Sequence, residues 1–107
     1  MKLITKEIIQ RCKELKQYNK PLHKQIVIAK FFNPCGAGTW YLTDYNPKTG
    51  IAFGYVSIFG DWNDEWGSFS IKELEDFKDS RFGLGIERDI YWTEKPVKEI
   101  IGIKIIQ

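Results

Sequence analysis

Three strand-forming runs joined by two very short links constrain this chain more than any other feature of it. Residues 26–32 (IVIAKFF), 39–45 (TWYLTDY) and 51–58 (IAFGYVSI) are rich in β-branched and aromatic side chains. Between them lie NPCGAG and NPKTG, the second a turn in which Pro47 fixes φ and Gly50 supplies a positive φ. A parallel neighbour needs a crossover of a dozen or more residues, so links this short force an antiparallel meander. A helical pattern precedes the meander. Ile4, Ile8, Cys12, Leu15 and Tyr18 recur at spacings of four, four, three and three, one apolar stripe on an amphipathic helix. Thr5 is the expected N-cap, Ile4 and Ile9 the expected staple around it, and Asn19 with Pro21 the expected stop.

After the meander, residues 59–67 (FGDWNDEWG) read as a loop, too rich in Gly, Asp and Asn for a regular strand. A second helix then opens on a capping box, Ser70 at the N-cap and Glu73 at N3, with Phe69 and Leu74 as its staple, and runs to about Asp79. Residues 86–92 (IERDIYW) have strand composition. Thr93 to Pro96 resemble the start of a short third helix, and the Ile-rich tail after it suits either helix or edge strand. The expected architecture is therefore α+β: a single domain over residues 1–107, with an antiparallel sheet of four to five strands, an amphipathic N-terminal helix and one or two further short helices packed on it.

Charge is distributed unevenly. Residues 1–30 hold eight basic side chains against two acidic ones, and the remainder holds eight basic against twelve acidic. Projected at 100° per residue, Lys2, Lys6, Lys13, Lys16 and Lys20 gather opposite the apolar stripe, with Lys24 just beyond. A basic face of this kind points to an anionic partner, RNA or a nucleoprotein, although lysine-rich helices also serve simply as solvated surfaces. Apolar residues in the first sixteen come in twos between charges, so no uninterrupted apolar segment is present there, and a cytoplasmic protein without a membrane partner is expected.

Catalytic constellations are poorly represented. Cys12, Cys35 and His23 are too few for a structural zinc site, and no cofactor is expected. A Cys35–His23 pair is conceivable, but a lone cysteine more often behaves as a small hydrophobe. Asp61, Asp64 and Glu65, joined by Glu87 and Asp89 if the two segments meet, would give the carboxylates of a metal-dependent nuclease or phosphoesterase. The alternative is a solvated acidic loop and a strand in which Arg88 pairs with a neighbouring carboxylate. Trp62 is a candidate anchor for a protein partner, with Asp61, Asp64, Glu65, Glu87, Arg88 and Asp89 as the polar groups around such a contact. Trp66 is expected to fold back over the sheet.

The run AFGYVSIFGDWNDEWGSFSIKELEDFK, with FFNPCGAGTWYLTDYNP ahead of it and GLGIERDIYW after it, resembles a family of small proteins of unknown function carried by bacterial plasmids, phages and integrative elements. Its most specific parts are Thr39–Trp40, Phe53–Gly54, the segment from Gly67 to Glu73 and the Glu87, Arg88, Asp89 triplet. Where the family has Gly-Pro-Glu-Leu-Gly before the capping box, this chain keeps Glu65 and Gly67 and lacks the proline. The resemblance carries no catalytic residues with it. It implies a setting among mobile elements, where small proteins often inhibit host defence. The leading expectation is thus a non-enzymatic accessory protein acting stoichiometrically, an anti-CRISPR inhibitor engaging a guide RNA or its nuclease through the basic helix.

Overall fold

Thr5 begins the first helix as expected: its hydroxyl accepts from the Ile8 N–H at 3.2 Å, and α1 spans Lys6–Leu15. The computed structural model describes residues 2–58, 64–100 and 103. Ile4, Ile8 and Cys12 are buried and Ile9 and Leu15 pack partly against the same core, so the stripe forms as far as Leu15. The helix stops four residues short of the expected Asn19. Lys16 takes the left-handed conformation (φ 48°, ψ 55°), its N–H bonded to the Cys12 carbonyl at 3.1 Å. A 3₁₀ turn, Gln17–Asn19, follows, and a second spans Leu22–Lys24. The change of direction at Lys16 puts Gln17, not Tyr18, into the interior.

The meander forms with an unexpected break. The first run divides into β1 (Ile26–Val27) and β2 (Ala29–Phe32), followed by β3 (Thr39–Asn46) and β4 (Ile51–Ser57). The Gln17 side chain grips Ile26 through both its N–H and its carbonyl. That hold turns β1 away to pair with β7 (Lys95–Pro96), while the Ile28 N–H already bonds the Leu42 carbonyl at 2.8 Å. The 46–50 turn closes as read: the Gly50 N–H donates to the Asn46 carbonyl at 2.8 Å and Gly50 has φ 74°.

Beyond β4 the structure corrects the loop reading. Glu65, Trp66 and Gly67 belong to strand β5 (Glu65–Ser70), paired antiparallel with β4; residues 59–63 of that segment lie outside the described residues. Cross-strand pairing along a free sheet edge overrides a composition that disfavours strands. Ser70 caps α2 (Ile71–Asp76) by accepting from the Glu73 N–H at 3.2 Å, so the N-terminus of the helix was legible, but it ends three residues early. Ile71 is buried, whereas Phe77 and Lys78, beyond the end of the helix, are exposed. Strand character at 86–92 is confined to β6 (Glu87–Arg88), because the Asp89 carboxylate accepts from the Tyr91 N–H at 3.0 Å and bends the chain. No helix starts at Thr93. Instead β7 runs into a 3₁₀ turn, Val97–Glu99, and the tail lies outside the described residues apart from Ile103.

The main sheet has the order β5-β4-β3-β2-β6, every neighbour antiparallel, and β1-β7 form a separate ladder. The fold is therefore α+β, as read. Strand alternation sends Ala29, Phe31, Leu42 and Ala52 into one cluster with Leu3, Ile4, Ile8, Cys12 and Ile71. The row Lys30, Tyr41, Tyr55, Trp66, cross-strand neighbours in register, takes the opposite face. There Trp92 donates its indole N–H to the Val27 carbonyl at 3.1 Å and meets Tyr41 at 6.0 Å between centroids. Trp66 does fold back over the sheet, stacked on Phe53 at 6.1 Å and edge-on to Tyr55 at 5.5 Å.

Two long-range ties fix the segment before α1. The Leu3 N–H donates to the Glu75 carboxylate at 2.9 Å, and Arg88 Nη1 donates to the Lys2 carbonyl at 2.7 Å. No helix among the described residues is long and apolar enough to cross a membrane.

Candidate functional site

The six lysines singled out in the sequence, Lys2, Lys6, Lys13, Lys16, Lys20 and Lys24, are all exposed. They do not share one helix. Lys6 and Lys13 belong to α1, Lys16 is its left-handed cap, and Lys20 and Lys24 lie at the ends of the two 3₁₀ turns. The 100° projection fails beyond Leu15 because a left-handed residue resets the direction of everything after it. The lysines nonetheless stay out of the protein's own ion pairs: none of the six forms one among the described residues.

The arginines of the same region behave differently. Arg11 makes a two-pronged contact with Glu94, Nε to Oε2 and Nη2 to Oε1, both at 2.8 Å, and reaches Glu14 at 3.1 Å. The Glu94 hydrogen bonds, then those of Glu14, hold its guanidinium above the ordinary arginine pKa. Arg88 is engaged with the Lys2 and Leu3 carbonyls. Arginine thus ties elements together while lysine remains available, in line with the chemistry of a rigid fork and a mobile point charge.

Two hollows open beside this segment. One, of about 590 Å³, lies between α1 and the β3–β4 turn, with Lys13, Lys16, Tyr18, Asp44 and Tyr45 in its lining. The other, of about 290 Å³, is lined by Tyr18, Lys20, Leu22, Gln25, Asp44 and Phe53. Tyr18 and Asp44 border both. Sequence periodicity assigned Tyr18 to the core stripe, yet the residue is 71% exposed. The buried amides Gln17 and Gln25 were also missed; polar residues in or just after a 3₁₀ turn give no periodic signal. Gln17 Nε2 donates to the Thr43 carbonyl at 2.6 Å and to the Ile26 carbonyl at 2.9 Å, and Gln25 Nε2 to the Lys20 carbonyl at 2.9 Å.

The acidic residues are not brought together. Asp64 stands before β5, on one edge of the sheet, and Glu87 and Asp89 on or beside β6, on the other. Four inter-strand spacings of about 4.8 Å put the two edges on the order of 20 Å apart. Asp64 is occupied structurally, accepting from the Ser57 hydroxyl at 2.8 Å and the Ile58 N–H at 3.2 Å. Glu65 is exposed; Asp61 and Trp62 lie outside the described residues. No group of three or more metal-ligating side chains forms among the described residues. The separation of the two edges, not that count, removes the composite carboxylate site.

Nor does Cys35 meet His23 in any hydrogen bond among the described residues; its carbonyl accepts from Arg81 Nη2 at 3.1 Å instead. Burial, helped by the Asp44 charge, pushes the Cys12 thiol up to about 12. At pH 8, therefore, a thiol reagent counted by absorbance is expected to modify Cys35 in the native protein and Cys12 only after unfolding. Since the unfolded Cys12 ionises near pH 9 and the folded one near 12, the unfolded state loses its proton first. Stability then falls as pH rises through that interval, which denaturation midpoints against pH will register.

Neither curated proteins nor solved structures yield a match to this chain. A family model described as "Protein of unknown function (DUF2958)" matches residues 3–100, nearly the whole described fold, from Leu3 in the core to Ile100 after the last 3₁₀ turn. By that match the chain belongs to the DUF2958 family.

Proposed function

We propose that the protein acts by stoichiometric binding of an anionic partner, an RNA or a nucleoprotein, through the exposed lysines of residues 2–24. What supports this reading is that the six lysines form no ion pair among the described residues and three of them, Lys13, Lys16 and Lys20, line the two hollows, while both arginines nearby are committed to the fold. Each lysine that meets a phosphate releases a counterion, so affinity and its salt dependence rise together. In the mobile-element setting that the family resemblance implies, the partner is a host nucleoprotein such as an RNA-guided nuclease.

Fluorescence anisotropy of a labelled single-stranded RNA across a salt series tests the reading. Four phosphate contacts on a single strand give a slope of log K on log salt of about −3. The variant with Lys6, Lys13, Lys16 and Lys20 all changed to Glu is expected to bind at least about tenfold more weakly with a slope near zero. Because the four side chains are exposed, its circular dichroism should match the parent's. Absence of binding by the parent protein at low salt would sink the proposal.

A further inference from the structure

The ring of Tyr18 sits where no packing argument puts it. Gln17 is 1% exposed and held by hydrogen bonds to β1 and β3, and the next residue of a tight turn must then face away. Tyr18 emerges as the ridge between the two hollows, with Lys13 and Lys16 lining one and Lys20 the other. A single exposed aromatic is ordinary on a protein surface. An exposed aromatic between two hollows, one lined by Lys13 and Lys16 and the other by Lys20, is an arrangement by which proteins hold unpaired nucleotides: base faces stack on the ring and backbone phosphates follow the cations.

We propose that this ridge binds a single-stranded segment of nucleic acid, one base lying on Tyr18, with the phosphate on one side directed to Lys13 and Lys16 and that on the other to Lys20. The inference rests on the reading that the partner is a nucleic acid, and it specifies the form of that partner. A duplex buries its base faces against neighbouring pairs and offers none to Tyr18. Asp44 also borders both hollows. One of its oxygens accepts from the Tyr45 N–H at 2.9 Å, leaving the other for a donor. A carboxylate repels phosphate and accepts from an exocyclic amine, so the bases that fit are the amine-bearing ones, cytosine, adenine and guanine, rather than uracil.

The test compares labelled eight-nucleotide oligo(C), oligo(A) and oligo(U) strands and a duplex with the parent protein, Tyr18→Ala, Tyr18→Phe and Asp44→Asn, by anisotropy over a salt series. Expected are tighter binding of single strands than of duplex and a preference for C or A over U. Tyr18→Ala should lose about tenfold on single strands, with the salt slope unchanged, and Tyr18→Phe should recover the loss. Asp44→Asn should erase the preference for amine-bearing bases. Thermal melts of Tyr18→Ala matching the parent's keep the comparison free of folding effects, as its exposure predicts. If Tyr18→Ala binds single strands like the parent while the four-lysine reversal abolishes binding, the stacking site is wrong and the lysine reading stands. If the parent binds no nucleic acid, both fall. Equal binding of duplex and single strand, or a loss in Tyr18→Ala that phenylalanine does not recover, also overturns the site.

Discussion

Replacing Gly54 by alanine is expected to unfold the protein at room temperature or bring it to the brink. A Cβ at Gly54 would lie 1.8 Å from the Tyr41 carbonyl oxygen, 2.8 Å from its carbon and 3.1 Å from the Leu42 Cα. All three atoms are backbone of the neighbouring strand, so no side chain can swing aside. Gly54 occupies β4, which is hydrogen-bonded on both sides, next to the place where the β3–β4 register shifts between Leu42 and Asp44. The irregularity brings the two backbones together, and only a residue without a side chain fits. Relief would require separating β3 from β4 at the centre of the sheet. The cost is on the order of 4 kcal/mol or more, against a total stability of roughly 5–15 kcal/mol for domains of this kind. Urea titration followed by circular dichroism gives the answer, and a midpoint close to the parent's would show that the strands yield more easily than the geometry implies. Gly67→Ala is the control, because an added Cβ there meets nothing within 4 Å.

Gln17→Leu should be nearly as damaging, for the opposite reason. Leucine is of similar size and apolar, and it would fill the space. It cannot bond the Ile26 N–H, the Ile26 carbonyl or the Thr43 carbonyl, which Gln17 serves together. Each buried backbone group left alone costs about 1–3 kcal/mol, so the loss is on the order of 4 kcal/mol. With about 4–8 °C per kcal/mol for a domain near this size, melting should fall by roughly 15–30 °C. Amide exchange at Ile26 should quicken even in conditions where the rest of the fold persists. A drop of only a few degrees would mean that water replaces the amide well, and that the bend at Lys16 is held by something else.

These two residues also mark where reading the sequence succeeds and where it stops. The caps at Thr5 and Ser70 and the turn at 46–50 were legible because each is made by atoms a few residues apart. Gly54 was visible only as part of a shared pattern, since its need arises from a strand thirteen residues away. The early end of α1 left no trace, as the left-handed residue is a lysine where glycine would have announced it, and the cause is Gln17 reaching Thr43. The same limit applied to the candidate sites. Exposure of the lysines followed from local pattern, whereas the exposure of Tyr18 depended on the bend. Composition could place carboxylates at two points of the chain but not reveal that the strand order sets β5 and β6 at opposite margins.

The ties from Leu3 to Glu75 and from Lys2 to Arg88 span 72 and 86 positions of the chain. A ribosome delivers α1 long before it delivers either partner. Until β6 has emerged, the helix has only part of its seat: Ile86, which completes the cluster that receives Ile4 and Ile8, has yet to be made. Contacts this distant in sequence form slowly because the intervening loop must close first. During synthesis the apolar stripe of the helix therefore waits, partly uncovered beside its lysines, until the segment carrying Ile86 has been made.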